Sequence, residues 1–445
     1  MKMKNLNLLV WSITVALGGF LFGFDTAVIS GAEQKIQKIW ELNAFQHGFT
    51  ISIALIGTVI GALLGGIPSD ILGRRKTLFW IAIFYLISAL GSALAFDWYV
   101  FLGFRFLGGL GVGASSVAAP LYIAEISPAS KRGKLVAMFQ FNIVFGIVVA
   151  YISNYYLEGI GPNDWRWMLG VEALPAIIFT ILILFVPRSP RWLIVKQNNI
   201  EEARKVLDLI DPASTEQEII DIQTNLNLET SKGNHSKKIF SKRYKFPITL
   251  AVLFAVFNQV SGINAIIYFA PRIFQMAGLG SSSALLSTIG IGVINFISTL
   301  IGLQLIDRIG RRTLMLIGSV GLIITLALVA KAFYLEEFGG FNVPIYLFLY
   351  ISFFAFSQGA VIWVFISEIF PNSVRAQGQA LGSFTHWLMA AVIAFVFPYI
   401  SEKLGGGHTF MIFCLMMVGQ LIFVLTIMPE TKGKTLEEIE KRVTV

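Results

Sequence analysis

The chain has 445 residues, of which 56% are hydrophobic and only 13% are charged. Soluble domains carry about 25% charged residues, so this composition excludes a soluble globular protein and indicates an integral membrane protein. The net charge of +8 does not indicate a nucleic-acid-binding protein, because the basic residues lie in separate loops and form no basic face. The single cysteine, Cys414, excludes an intrachain disulfide, and the four scattered histidines show no metal-ligand spacing.

Twelve apolar runs are long enough to cross a bilayer, and their continuity excludes a β-barrel. The first begins like a signal peptide, but it continues past the length of such a segment and more spans follow, so it is predicted to be the first membrane helix. The predicted spans are 9–31, 48–69, 77–96, 98–122, 134–157, 166–186, 247–270, 282–305, 313–333, 343–367, 378–400 and 409–428.

An acidic residue, Asp25, lies inside the first span in GGFLFGFDTAVISG. A carboxylate in hydrocarbon costs at least about 2.5 kcal/mol, so it needs a basic partner or a proton. Span 4 supplies the base Arg105, and span 6 supplies a second acid, Glu172. Two acids that compete for one guanidinium predict a proton switch, and the alternative is a static ion pair that pins helices together.

Short loops rich in Lys and Arg, such as GRRK at 73–76 and DRIGRR at 307–312, alternate with loops that are poorer in basic residues. With an even number of spans, the positive-inside rule places both termini in the cytoplasm. The one long polar insert, 187–246, contains two stretches with apolar residues at helical spacing, 199–210 and 214–226. They are predicted to be amphipathic cytoplasmic helices, followed by a linker at 229–238.

The chain also repeats itself. Three motifs recur at offsets of 237, 243 and 242 residues, namely SDILGRRK with IDRIGRRT, EISPASKR with EIFPNSVR, and VPRSPRW with MPETKGK. The repeat predicts two six-helix halves, 1–186 and 247–428, joined by the linker 187–246 and followed by a tail, 429–445. Such a parallel duplication places a binding site at the interface of the halves, near the middle of the membrane.

The repeated loop motifs combine acids with arginines. Arginines near a helix C-terminus cap its free carbonyls and pair with carboxylates, so these residues are predicted to latch neighbouring helices on the cytoplasmic side. The alternative is that the arginines serve only as topology anchors. The residues are Asp70, Arg74, Arg75, Glu125 and Arg132 in the first half, and Asp307, Arg311, Arg312, Glu368 and Arg375 in the second.

Five motifs spread over the chain resemble those of the sugar porter family of the major facilitator superfamily: RFLGGLGVG, PRSPRWL, NQVSGINAIIYFAP, EIFPNSVR and PETKG. The resemblance implies an all-α membrane protein with twelve transmembrane helices in two six-helix halves and both termini cytoplasmic. It also implies the import of a monosaccharide by alternating access, and proton-coupled members keep an Asp at the position of Asp25. Two positions depart from the family pattern, since Arg188 stands where Glu is usual and Asn258 where Gln is usual.

A sugar offers hydroxyl groups and an apolar ring face, so neutral amides and aromatic side chains suit its pocket. Spans contain such groups, and a break at Gly262 would bring Gln259 and Asn264 together. The resemblance implies sugar contacts at the matching positions, and the alternative is that the amides only bond neighbouring helices. The candidate sugar-binding residues are Phe22, Gln140, Ile147, Asn258, Gln259, Asn264, Asn295, Gly359, Trp363, His386 and Trp387.

The resulting hypothesis is a monosaccharide:proton symporter, not an enzyme, with no cofactor other than the co-transported proton. The sugar is expected to be a hexose or a pentose, and the apolar Ile147 resembles the residue of the family's glucose carriers more than that of its xylose carrier, which favours D-glucose, then D-xylose. A proton-independent uniporter and a non-transporting sugar sensor are the alternatives. The expected partners are the sugar and the lipid bilayer of a plasma membrane, taken to be a bacterial inner membrane because the first external loop is short, with the monomer as the functional form.

Overall fold

The computed structural model describes residues 2–128, 131–231, 239–339, 341–371, 374–434 and 438–439, without the side chains of 2–5 and 225–231. The predicted linker at 229–238 lies mostly outside these ranges, as does most of the predicted tail. Within them, every regular segment is helical. The α-helices are α1 (Lys2–Ile39), α2 (Ala44–Leu64), α3 (Gly66–Ile71), α4 (Arg74–Leu94), α5 (Trp98–Ile126), α6 (Arg132–Leu157), α7 (Asp164–Gly170), α8 (Ala173–Leu182), α9 (Pro190–Gln197), α10 (Ile200–Ile210), α11 (Thr215–Ser231), α12 (Lys245–Val260), α13 (Ile263–Met276), α14 (Ser281–Ile309), α15 (Arg311–Tyr334), α16 (Asn342–Phe354), α17 (Ala360–Ile369) and α18 (Arg375–Thr426).

Eleven helical stretches in the described residues are long and apolar enough to cross a membrane. The last of them, α18, has 52 residues and covers both of the last two predicted spans. At 1.5 Å per residue it measures about 78 Å, more than twice the bilayer core of about 30 Å. It breaks at Gly405, where φ is 77°. This break favours two crossings, and the count of twelve crossings stays a prediction, as does the side of the termini.

The first helix is longer than predicted. It ends at Ile39 instead of residue 31, because the polar residues after Ile29 continue the helix instead of forming a loop. Lys35 consequently lies on α1, where it forms an ion pair with Asp164 at the start of α7.

The chain forms two compact units, and each comprises separated segments. The first consists of 1–25, 57–146 and 169–236. In it, α2 and α5 approach closely through glycines: a Cβ on Gly61 would lie 2.3 Å from the Leu110 carbonyl, and one on Gly113 would lie 2.2 Å from the Thr58 carbonyl. The glycine-rich motif RFLGGLGVG is therefore a helix-packing motif.

The second unit consists of 26–56, 147–168 and 237–445. Its helices are interrupted where side chains converge. A π-helical turn, Ala355–Gly359, separates α16 from α17, and a non-helical residue, Phe269, kinks α13 before Pro271. Such interruptions free backbone carbonyls and are common at functional sites. The packed rings of Phe254 and Phe365, 5.2 Å apart, belong to an apolar core that includes Val361 and Ile362, just after the π-helical turn.

The two amphipathic helices predicted in the polar insert are present as α10 and α11. They form a small core with α9 through Leu193, Leu207 and Ile219. Ser189 precedes α9 as its N-cap, because its hydroxyl oxygen accepts a hydrogen bond from the Trp192 N–H.

Candidate functional site

The buried acid of the first span has a basic partner in the first unit. Asp25 Oδ1 lies 2.6 Å from Arg105 Nη1, and Arg105 Nη2 donates to the Asp25 carbonyl at 3.3 Å. Both side chains are almost completely buried, as is Glu172. Glu172 occupies the junction between α7 and α8, close enough to act electrostatically on Asp25 and Arg105.

These three groups are suited to binding a proton. Glu172 Oε1 accepts no hydrogen bond within the part of the chain that the structure describes. When all three groups are ionised, two carboxylates and one guanidinium leave a formal charge of −1 on residues that are each only 2% exposed. An uncompensated buried charge is costly, and one proton on either acid removes it.

The second unit contains a connected cluster of amides. Asn264 Nδ2 donates to Gln259 Oε1 at 2.6 Å, and Gln259 Nε2 donates to Asn258 Oδ1 at 2.9 Å. Gln259 Nε2 also lies 3.2 Å from the ring nitrogens of His386. The cluster offers donors and acceptors without a formal charge, the pattern that matches the hydroxyl groups of a neutral ligand.

A break in the chain makes this cluster possible. On a straight helix, residues five apart point about 140° away from each other. Here α12 ends at Val260 and α13 begins at Ile263, with Gly262 between them at φ +90°. A Cβ at Gly262 would meet the Phe413 ring at 2.6 Å, so only glycine fits both the conformation and the space.

Two tryptophan rings contact His386, the fourth member of the cluster. The rings of Trp363 and Trp387 each have their centroid 4.9 Å from that of His386. Asn258 extends the cluster to the π-helical turn, where its Nδ2 donates to the Gln358 carbonyl at 3.4 Å. Gly359 is the last residue of that turn.

The other candidate sugar residues are placed separately. Asn295 is buried on α14 of the second unit, and no hydrogen bond joins it to the amide cluster among the described residues. Ile147 is buried on α6 in the same unit. Phe22, which is buried, and Gln140, which is half-buried, belong to the first unit.

The acid–arginine motifs form the same network in both units. In the first, Arg74 pairs with Asp70 and with Glu125, each at 2.9 Å. In the second, Arg311 pairs with Asp307 at 3.1 Å and with Glu368 at 2.8 Å.

A hydroxyl completes each network. Ser189 donates to Glu125 at 2.5 Å, and Thr431 donates to Glu368 at 2.7 Å. The first arginine of each GRR sequence is therefore held by two acids.

The remaining arginines of the motifs contact carbonyls. Arg132 Nε donates to the Ala124 carbonyl at 3.1 Å, and Arg375 Nε donates to the Phe370 carbonyl at 3.3 Å. This is the helix-end capping that their position predicts. In the described structure, neither arginine forms an ion pair with the Glu seven residues before it, Glu125 or Glu368.

The second arginine of each GRR sequence also binds backbone oxygens. Arg75 donates to the Leu184 carbonyl at 2.5 Å, and Arg312 donates to the Leu425 carbonyl at 2.6 Å.

One acid of the second network was not among the candidates. Glu430 accepts hydrogen bonds from the backbone N–H groups of Arg311 and Arg312 at 3.0 Å, and from those of Thr431 and Lys432 at 2.9 Å. Burial acts to raise the pKa of this carboxyl, but the four N–H donors outweigh burial and hold the pKa below its usual value. Glu430 therefore caps α15 as an anion. Its position in the repeated motif, MPETKGK beside VPRSPRW, is the sequence pattern that could have identified it as a candidate.

A second buried charge cluster, on α1, α2 and α13, was not predicted from the sequence either. Glu33 is fully buried, and both its oxygens accept from Arg272, at 2.9 and 2.6 Å. His47 Nε2 lies 2.7 Å from Glu33, and Arg272 donates to Gln37 at 2.6 Å. The same rule that identified Asp25 applies here, since Glu33 and Arg272 lie within apolar helices.

Comparison with known proteins agrees with this architecture. The profile of the family described as "Sugar (and other) transporter" matches residues 11–442. An arabinose-proton symporter of Bacillus subtilis is 37% identical over 97% of this chain and 94% of its own length. A D-xylose-proton symporter of Escherichia coli is 35% identical over 97% of this chain and 95% of its own length.

A solved structure agrees as well. The inward-open conformation of the xylose transporter XylE from Escherichia coli matches with a TM-score of 0.86 and 34% identity, over 97% of this chain and 99% of that one. The all-helical architecture is thus that of a sugar porter with the major facilitator fold. The protein is a multi-pass protein of the bacterial inner membrane. The family match over nearly the whole length and these full-length relatives show that the chain belongs to the sugar transporter family.

Proposed function

We propose that the protein imports a monosaccharide together with a proton by alternating access. The observation that carries the proposal is the buried trio of Asp25, Arg105 and Glu172 in the first unit. Its formal charge of −1 with all groups ionised supplies the reason to bind a proton. Relatives described as arabinose-proton and D-xylose-proton symporters support the same assignment.

The amide cluster is the proposed sugar site of the second unit. Gln259 and Asn264 bond each other in the described structure, and a sugar hydroxyl would replace part of that pairing. The rings of Trp363 and Trp387, one tilted and one edge-on to His386, supply an apolar surface for the ring face.

We take the sugar to be a pentose, D-xylose or arabinose. The preference for D-glucose that Ile147 suggested is not supported over these pentoses, because an arabinose-proton symporter and a D-xylose transporter are 37% and 38% identical to this chain, whereas a glucose transport protein is 34% identical. Competition of unlabelled D-xylose, arabinose and D-glucose with a labelled sugar in proteoliposomes ranks the three directly.

Replacement of Asp25 by Asn tests the coupling. Asn has nearly the same shape as Asp but mimics the permanently protonated acid. Asp25→Asn should therefore abolish uphill uptake driven by a pH gradient, while sugar binding and counterflow exchange persist. A proton that crosses 100 mV supplies about 2.3 kcal/mol, which the variant cannot use.

Asp97→Asn is the matched control. Asp97 caps α5 by accepting the Val100 N–H, and Asn serves as an N-cap equally well, so this variant should concentrate sugar like the wild type. Uphill uptake by Asp25→Asn, or sugar uptake by the wild type without proton movement, would replace the symporter by a uniporter. Binding without counterflow in the wild type would identify a sensor.

A further inference from the structure

A cavity of about 450 Å³ lies in the first unit where α4 begins. Four basic side chains line it: Arg74, Arg75 and Lys76 from the first turn of α4, and Arg188 from the segment before α9. Neither the proposed sugar-binding residues nor the trio of Asp25, Arg105 and Glu172 lines this cavity.

The second unit shows what occupies the corresponding place there. The repeat aligns Pro187 with Pro429 and therefore Arg188 with Glu430. The structure supports this alignment, because the next residues, Ser189 and Thr431, donate to corresponding glutamates of the two networks. In the second unit, the Glu430 carboxylate accepts the first two N–H groups of α15.

The first unit has the same donors without the carboxylate. Gly73 precedes α4, and among the described residues no side chain accepts from the N–H groups of Arg74 and Arg75. The N–H groups of Arg74 and Arg75 are the counterparts of those that Glu430 binds, and Arg188 has no acceptor to offer them. The first N–H groups of a helix have no partner within the helix and carry a partial positive charge.

The charges around the cavity leave a positive excess. Arg74 is held by Asp70 and Glu125, whereas Arg188 has Glu202 at 3.4 Å in a partly exposed pair that contributes little. Four cationic side chains thus face three acids, and the helix dipole adds to the excess.

We propose that this cavity binds a phosphate group, which takes the place that a glutamate carboxylate takes in the second unit. The fit is chemical: a phosphate oxyanion accepts from both N–H groups of α4 and from the guanidinium and ammonium groups beside it. Trp80 and Leu184 form an apolar wall, and about half of each side chain is exposed. The phosphate group of an anionic phospholipid and a soluble phosphate share this chemistry, and the experiment separates them.

The test measures the melting temperature of the purified full-length protein in detergent while phosphatidylglycerol or inorganic phosphate is titrated. Wild type should be stabilised by at least one of them. Arg188→Glu should need at least tenfold more ligand, because the new carboxylate competes for the N–H groups and reverses one charge. Stabilisation by phosphatidylglycerol alone identifies a lipid headgroup, and equal stabilisation by inorganic phosphate identifies a soluble phosphate.

Lys196→Glu is the matched control, since it makes the same charge change on the exposed end of α9, outside the cavity. It should retain the wild-type response. Arg188→Gln removes the charge without adding an acid, so it should weaken the response several-fold and provides a second test if Arg188→Glu does not fold. No response in the wild type, or equal responses of wild type and both Arg188 variants, would overturn the proposal. None of these readings depends on sugar transport.

Discussion

At the scale of single residues, Gln259 is the centre of the amide cluster. It is the one side chain that bonds Asn258, Asn264 and His386 in the described structure. Because an amide carries both donors and an acceptor, its removal leaves several polar groups without partners.

Gln259→Ala or Asn264→Ala should weaken sugar binding by about 1–3 kcal/mol, because a buried sugar hydroxyl loses its hydrogen bond. Calorimetric titration with D-xylose on the purified protein measures the change. Gln420→Ala is the control: Gln420 is also a buried amide, and it donates to Ser319 at 2.8 Å away from the cluster. Affinity that stays at the wild-type value in both cluster variants would remove these residues from the site.

At the scale of helices, the Glu33 cluster joins α1, α2 and α13 within the second unit. Its energetic weight lies in the burial of Glu33, whose side chain has no exposed surface, whereas that of Arg272 is 23% exposed. Removing Arg272 leaves the buried Glu33 carboxylate without its guanidinium partner and with only the His47 ring beside it.

Arg272→Met should destabilise the protein by about 3–5 kcal/mol, because Glu33 then remains charged and buried. The double variant Glu33→Leu, Arg272→Met should recover much of this loss, since it removes both charges together. Denaturant unfolding of the wild type, the two single variants and the double variant gives the coupling. Additive losses would show that the pair contributes nothing of its own.

At the scale of the whole molecule, the repeated networks are the feature that the two units share. Arg74 and Arg311 each hold two acids, whereas Arg132 and Arg375 contact backbone carbonyls. We expect the networks to order, in each unit, the helix ends that the positive-inside rule assigns to the cytoplasm. Closure on the cytoplasmic side needs ordered ends, because an interface forms only between fixed surfaces.

Arg74→Gln and Arg311→Gln should therefore raise the population that is open to the cytoplasm, and Arg132→Ala and Arg375→Ala should raise it less. The measurement is the distance distribution between spin labels at Gly133→Cys and Ala376→Cys, two exposed positions, in a Cys414→Ala background. The labelled protein without a further change is the reference. Identical distributions in all five proteins would contradict a latch.

The sequence alone determined the helical spans, the duplication and the need for a partner of Asp25, because apolar length, motif spacing and the cost of a buried charge are local properties. The break at Gly262 and the helices α10 and α11 were predictable for the same reason. Only the tertiary structure decided which groups pair. Glu125 bonds Arg74, 51 residues away, and not the nearer Arg132, and Glu33 bonds Arg272, 239 residues away. Such pairings depend on which helices pack together, and neither charge nor spacing along the chain encodes that.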